Sequence, residues 1–171
     1  MSEALFVRGA EQEELGEMRS AFHLFMRAAK AGHRGAQLNV GYFYDTGLGV
    51  RRNRSAAMYW YKRAYRRGDG SAANNIGTIW RDEKKMRRAL AWFEKAIRLG
   101  NDGSNFEIAK HYLRNEHDPA KAIEYLRKVC ESQWVADTEV EEAKRLLREA
   151  NRELKRLGAT AAERRTRLGQ R

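Results

Sequence analysis

The side chains that could catalyse a reaction or bind a metal are few and widely separated. The histidines are His23, His33, His111 and His117, and Cys130 is the single cysteine. Zinc sites use ligands at short, regular spacings, and the sequence contains no HExxH or CxxC pattern. It also lacks a glycine-rich phosphate-binding loop and a GxSxG nucleophile motif. The sequence therefore predicts no catalytic residue, no metal site and no cofactor.

Two of these side chains have a structural interpretation instead. His33 directly follows Gly32, a residue type that commonly ends helices, so we expect His33 to have a structural or solvated role rather than to bind a metal. Cys130 follows Val129 at a position that faces the inside of a predicted helix. A buried thiol is a poor nucleophile because burial disfavours the thiolate, so we expect Cys130 to be inert.

Composition indicates one helical domain of ordinary size. The chain has 171 residues, 42% of them hydrophobic, and a single proline. No apolar run approaches the roughly 18 residues that a bilayer-spanning helix needs, and the N-terminus lacks the pattern of a signal peptide. A lone cysteine cannot form an internal disulfide, which favours a reducing compartment. We therefore expect a cytoplasmic protein without a membrane span.

Small residues recur at a spacing that indicates repeated pairs of helices. In each repeat, a small residue of a first helix, A, precedes two small residues of a second helix, B, that are seven residues apart. The four sets are Gly9, Ala21 and Ala28; Gly41, Ala57 and Ala64; Gly77, Ala89 and Ala96; and Ala109, Ala122 and Val129. Residues seven apart share one helix face, where a neighbouring helix can approach closely. A large residue, Phe25, Tyr61, Phe93 or Leu126, lies three positions before the last member.

The pattern predicts helix boundaries along the chain. The A helices are expected near 3–14, 34–45, 71–81 and 104–115, and the B helices near 17–31, 53–68, 84–99 and 119–130. Asn53, Ser71 and Asp118 are the expected N-caps, and Pro119 suits the first helical turn. A capping helix is expected at 137–157, before a basic, disordered tail at 158–171. The fold class is all-α: a right-handed α-solenoid of about four helix-turn-helix repeats over residues 1–157, including this C-terminal capping helix.

The second repeat carries a specific family resemblance. Its pattern is Ala36, Gly41, Tyr44, Gly47, Gly49 and Val50, followed by Ala57, Trp60, Tyr61, Ala64 and Gly68. This stretch resembles the Sel1-like repeat, a variant of the tetratricopeptide repeat with a longer connection between the two helices. The other repeats lack the glycine loop and are more similar to plain tetratricopeptide repeats. The resemblance covers about residues 3–132 and implies a scaffold that binds proteins or peptides and has no catalytic site.

In such stacked pairs the A helices line the concave side, where a partner would bind. The inward positions combine apolar side chains with an amide, a hydroxyl and cations, a mixture that suits a protein or peptide segment, in particular an acidic one. The predicted binding residues are Leu38, Tyr42, Asn74, Thr78, Arg81, Phe106 and Lys110. The resulting hypothesis is a cytoplasmic, bacterial adaptor, of which a toxin-neutralising immunity protein is a specific form.

The charge distribution supports an alternative hypothesis. Residues 51–98 carry 14 basic and 4 acidic side chains, and residues 144–171 carry 10 and 3, within a net charge of +11. Most of the first block lies on B helices and their starts, so it would form a convex basic ridge. Such a ridge, with the basic C-terminal tail, would bind nucleic acid through its phosphates. Trp60 and Tyr61 fall on packing positions, whereas Tyr59 and Tyr65 are freer to contact a partner.

Overall fold

The computed structural model describes the backbone of residues 1–169 and the side chains of residues 1–159, and the regular structure in this range is entirely helical. The helices are α1 (Ser2–Glu14), α2 (Met18–Lys30), α3 (Arg34–Thr46), α4 (Arg54–Tyr65), α5 (Gly70–Asp82), α6 (Met86–Arg98), α7 (Ser104–His111), α8 (Pro119–Glu131) and α9 (Asp137–Gly169). A π-helical turn, Tyr112–Glu116, follows α7 directly. The chain forms two compact units: unit 1, Met1–Gly100, and unit 2, Asn101–Arg171. The predicted all-α repeat fold is confirmed.

The helix boundaries lie close to the predicted ones, except at the C-terminus. α1, α3, α5 and α7 are the A helices, and α2, α4, α6 and α8 are the B helices. α9 continues beyond the predicted end at residue 157 to Gly169. The tail predicted at 158–171 falls largely outside the residues whose side chains are described, so its disorder stays a prediction. A single domain over residues 1–157 also stays a prediction.

Side-chain caps fix the starts of several helices. The side chains of Asn53 and Asp118 accept hydrogen bonds from the backbone N–H groups of Ala56 and Lys121, as predicted. The prediction of Ser71 as the cap of α5 is wrong. Asp69 holds that position, because it has extended backbone and its carboxylate accepts from the N–H of Ala72 at 2.9 Å. α5 consequently begins at Gly70, one residue before the expected cap.

His33 is the N-cap of α3, which confirms its structural role. Its Nδ1 accepts a hydrogen bond from the Ala36 backbone N–H at 3.1 Å. An accepting Nδ1 leaves the proton on Nε2, which lies 2.9 Å from a carboxylate oxygen of Glu3. The ring also stacks on Phe6 with 4.3 Å between ring centroids. One histidine therefore joins the start of α3 to α1.

In unit 1, the small residues of the A helices leave room for large side chains of the B helices, and we call such a small residue a seat. A Cβ added at Gly41 would lie 2.5 Å from a ring carbon of Tyr61, closer than non-bonded carbons approach. Gly9 meets Phe25 and Gly77 meets Phe93 in the same way. In unit 2, Ala109 and Leu126 share one buried cluster, so a larger seat accompanies a smaller partner. The predicted close approach of paired helices is confirmed in unit 1.

The long loop between α3 and α4 has a structural purpose. Gly47 ends α3 with a left-handed backbone, and Gly49 also has a positive φ of 62°. A Cβ added at Gly49 would lie 2.5 Å from the carbonyl oxygen of Met18, at the start of α2. Only a residue without a side chain lets the loop reach the α2 backbone. The loop therefore attaches one repeat to the next, which confirms that its glycines are conformational devices.

Candidate functional site

The predicted binding residues of unit 1 lie on α3 and α5. Leu38 is half-buried and packs against the core between α4 and α5, whereas Tyr42 is 45% exposed. Asn74 and Thr78 on α5 are half-buried. Tyr42 therefore offers the largest exposed apolar area of this set, and the remaining side chains offer polar groups at the surface.

Arg81 belongs to a network of charges at the ends of α3 and α5. Its guanidinium lies 3.2 Å from the carboxylate of Asp82, which also accepts a hydrogen bond from Arg54 at 3.4 Å. Arg52 donates a hydrogen bond to the backbone carbonyl of Asp45. Burial raises the pKa of the Asp45 carboxyl, and Asp82 raises it further, whereas Arg54 and Arg52 oppose the shift. The A-helix side of unit 1 is therefore mixed in charge rather than simply basic.

Unit 2 contains the other two predicted residues, and they occupy different environments. Phe106 is 2% exposed and belongs to the buried core with Ala109 and Leu126, so its ring is not available to a partner. The position predicted to face a partner instead faces the core, because residues of α8 and α9 pack in the same cluster as Phe106. Lys110 is partly exposed, forms an ion pair with Glu107, and places its ammonium group 4.6 Å from the centre of the Phe106 ring. Lys110 therefore keeps the surface position that was predicted for it.

Lys110 also lines a groove of about 400 Å³ within unit 2. The cations Lys110 and Arg114 and the imidazole of His117 come from the end of α7 and the residues after it, and the carboxylates Glu149 and Glu153 come from α9. The other lining residues are apolar: Leu113, Pro119, Leu146 and Ala150. The π-helical turn leads into His117, whose φ of 50° is left-handed, and Asp118 then starts α8. The turn thus brings the His117 side of the groove next to the start of α8.

Most groove residues were not among the predicted binding residues. The apolar positions Leu146 and Ala150 lie four apart on α9, a spacing that marks one helix face and could have been read from the sequence. The π-helical turn has no comparable signal, so the positions of Arg114 and His117 depend on the structure. Of the predicted binding residues, Lys110 alone lines this groove.

The histidines and the cysteine of the described residues are candidate metal ligands and nucleophiles. No group of three or more His, Cys, Asp or Glu residues in the described part of the chain could hold a metal ion. Cys130 is partly buried, and burial raises the pKa of its thiol, which disfavours the reactive thiolate. No described helix has both the length and the hydropathy needed to cross a bilayer.

Comparison with protein families identifies the repeats. The model of the Sel1 repeat matches residues 17–33, 35–69, 72–101 and 106–133. The second and third matches each span an A helix and a B helix, and the first covers α2 alone. The predicted resemblance to the Sel1 repeat is therefore confirmed, and the family model matches in all four repeats, including those that lack the glycine loop.

The matching proteins are much longer than this chain. A putative sel1-like repeat-containing protein, L21, of Acanthamoeba polyphaga mimivirus is 29% identical over 79 residues, which are 46% of this chain and 15% of that protein. The chitin synthase regulator SKT5 of Saccharomyces cerevisiae is 38% identical over 73 residues, which are 43% of this chain and 10% of the regulator. The chain thus spans a small part of these relatives.

Solved structures support the same fold. A protective antigen of uropathogenic Escherichia coli that displays an SLR fold is 28% identical, with a TM-score of 0.66, over 75% of this chain and 30% of the antigen. A Sel1 repeat protein of Oxalobacter formigenes is 24% identical, with a TM-score of 0.56, over 70% of this chain and 55% of that protein.

Proposed function

Because this chain belongs to the Sel1 repeat family, we propose that it is a non-catalytic interaction protein that binds a protein or peptide segment on its A-helix side. The groove of unit 2 carries the proposal. Its apolar lining can receive a hydrophobic side chain, and its polar walls can orient the backbone on either side. Binding sites of this kind combine an apolar centre with a few placed charges, which is what the groove offers.

The charges of the groove favour an acidic segment. Glu149 and Glu153 are already paired with Arg145 at 2.9 Å and Arg156 at 3.1 Å. By contrast, Arg114 and His117 form no ion pair within the described part of the chain. Arginine binds carboxylates through two parallel hydrogen bonds, so Arg114 is the natural contact for an aspartate or glutamate of the partner. An apolar residue flanked by acidic residues is therefore the ligand that fits.

Unit 1 offers a second surface of the same kind. Tyr42 is an exposed aromatic side chain, a residue type enriched among the side chains that dominate binding energy. Leu38 adds an apolar group to this proposed surface, Thr78 and Asn74 add hydrogen-bonding groups, and Arg81 supplies a cation. We include these residues in the binding surface of unit 1. Neutralisation of a toxin is one biological form that such binding could take, and a cytoplasmic adaptor is another.

The test uses short fluorescent peptides with one leucine between acidic residues, measured by fluorescence anisotropy on the full chain. Arg114→Glu with His117→Glu should weaken binding about tenfold or more, a loss of roughly 1.4 kcal/mol, because the favourable charge of Arg114 becomes repulsive and a second negative charge is added beside it. The matched control is Arg127→Glu with Arg148→Glu, two exposed cations of unit 2 outside the groove. We expect this control to bind like the unmodified chain.

Two results would contradict the proposed groove. Peptides in which lysines replace the acidic residues should not bind, so equal binding of both peptide sets would remove the acidic-partner assignment. Unchanged binding by the groove variant, with helicity preserved in far-ultraviolet circular dichroism, would remove the groove itself.

A further inference from the structure

An aromatic ring with a cation over it recurs on the B helices. The cation lies three residues after the ring, at equivalent positions of three repeats, and the sequence analysis did not identify this pairing. The pairs are Trp60 with Arg63 at 5.3 Å, Trp92 with Lys95 at 4.0 Å and Tyr125 with Lys128 at 4.8 Å, measured from the cationic centre to the ring centroid. These distances are those of cation–π interactions. The rings therefore hold the cations in defined positions.

In unit 1 these pairs form part of a surface shared by two helices. The rings of Tyr65 on α4 and Trp92 on α6 meet edge to face, 5.0 Å apart. The ammonium group of Lys95 lies over Trp92 and also 5.9 Å from the Tyr65 ring. At the start of α6, Arg88 lies 4.9 Å from the Trp80 ring. The aromatic contacts thus connect α4 and α6, and cations lie on their outer side.

We name this the B-helix surface of unit 1 and define it by six cations: Lys62, Arg63 and Arg66 on or at the end of α4, and Arg88, Lys95 and Arg98 on α6. None of the six forms an ion pair with a carboxylate in the described part of the chain. By contrast, Arg54 at the start of α4 and Arg81 on α5 share the carboxylate of Asp82. The B-helix surface therefore keeps its positive charge available to a partner.

We propose that the B-helix surface of unit 1 binds the phosphate backbone of double-stranded nucleic acid without sequence selection. Phosphates require positioned cations and no apolar pocket. A protein partner would instead require an apolar centre from which water is excluded, and this surface presents charged groups over its rings. Single-stranded nucleic acid would stack its bases on exposed ring faces, whereas the rings of Trp60, Trp80 and Trp92 each have a cation within 5.3 Å of the ring centroid.

The ring contacts also explain why the cations suit a polyanion. A free lysine or arginine loses side-chain conformational entropy when it is fixed against a partner. Arg63, Arg88 and Lys95 are already restrained over rings, so part of this loss has occurred before binding. The duplex backbone presents one negative charge for about every 1.7 Å of its axis, which several restrained cations can contact together.

The test measures binding of a fluorescent DNA duplex to the full chain by anisotropy across a salt series. Lys62→Gln, Arg66→Gln and Arg98→Gln are changed together, because these exposed side chains contact no ring and their loss should leave the fold intact. Loss of three phosphate contacts should reduce the slope of log K against log salt by about 2 to 3. The matched control, Arg8→Gln with Arg19→Gln and Lys30→Gln, removes the same charge elsewhere in unit 1 and should keep the slope.

Four results of these binding measurements would overturn the proposal. Absence of duplex binding at low salt would remove it directly, and an equal loss in the control variant would show an effect of net charge alone. Tighter binding of a single-stranded DNA of the same length would show that bases stack on the rings. Equal displacement of the duplex by polyglutamate of the same charge would assign the surface to an acidic protein.

Discussion

At the scale of single residues, the A-helix side of unit 1 contains a carboxylate in an unfavourable environment. Asp45 occupies one of the inward positions of α3, and its side chain is 21% exposed. Burial raises the pKa of its carboxyl although Arg52 and Arg54 are nearby. A carboxylate that costs stability but persists on a candidate binding surface is a candidate for a binding role, because perturbed groups cluster at functional sites.

Replacement of Asp45 by asparagine should therefore stabilise the protein near pH 7. The raised pKa means that the folded state binds the proton more readily than the unfolded chain, so ionised Asp45 lowers the free energy of unfolding. That penalty disappears as the pH falls through the raised pKa and is fully absent below the ordinary value of 3.8. Urea denaturation at several pH values should show an advantage of Asp45→Asn that shrinks to zero on acidification.

Asp82→Asn is the appropriate control for this experiment. Asp82 is more exposed and accepts from Arg54, so its replacement should remove an interaction and give no gain in stability near neutral pH. If Asp45→Asn were less stable than the unmodified chain at neutral pH, the ion pairs with Arg52 and Arg54 would outweigh the cost of burial.

At the scale of helices, the unit of construction is a seat on an A helix and a large side chain on the following B helix. The sequence predicts this pairing well, because the spacing of small residues reflects direct contact between neighbouring helices. Gly41 and Tyr61 were identified as members of one repeat, and they touch in the structure. The groove of unit 2 was harder to predict from the sequence, because its position depends on a π-helical turn that no residue spacing indicates.

The difference between what residue spacing determines and what packing determines also explains the incorrect predictions. Ser71 and Asp69 are both good capping residues, and only the extended backbone of Asp69 decides between them. Phe106 lies three residues before Ala109, as the half-buried Leu38 lies relative to Gly41, yet Phe106 is buried. Local spacing thus predicts which face of a helix is apolar, whereas the covering of that face depends on the helices that pack around it.

Gly41→Ala should destabilise the protein by about 1–2 kcal/mol. Overpacking against the buried Tyr61 ring costs about 1–3 kcal/mol, and the better helix propensity of alanine returns at most about 1 kcal/mol. The measurement is the free energy of unfolding in urea. The control is Gly158→Ala on α9, where an added Cβ meets nothing within 4 Å, so alanine there should be neutral or slightly stabilising.

The pair in unit 2 suggests a rescue for this variant. At the equivalent repeat positions of unit 2, Ala109 and Leu126 belong to one buried cluster, so alanine and leucine occur together where unit 1 has glycine and an aromatic residue. Gly41→Ala combined with Tyr61→Leu should therefore lose less stability than the sum of the two single changes, a coupling that double-mutant analysis measures. Simple additivity would show that the ring does not press on the seat.

At the scale of the whole molecule, stability is expected to be local rather than uniform. In repeat proteins each helix pair contacts chiefly its neighbours, so the effect of a substitution decreases along the chain. Within unit 1 the successive helices from α1 to α6 pack in order, and within unit 2 α8 packs against both α7 and α9. The groove of unit 2 and the B-helix surface of unit 1 thus depend on different helix contacts.

Hydrogen exchange of the full Gly41→Ala chain should show this locality. Exchange should increase most in α3 and α4, less in α2 and α5, and least in α8 and the start of α9, because the strained contact joins α3 to α4. The Gly158→Ala chain provides the reference. An equal increase in every helix would mean that both units unfold in one cooperative step. In that case a substitution on one proposed surface would also weaken the other, and each binding test would need both ligands measured on every variant.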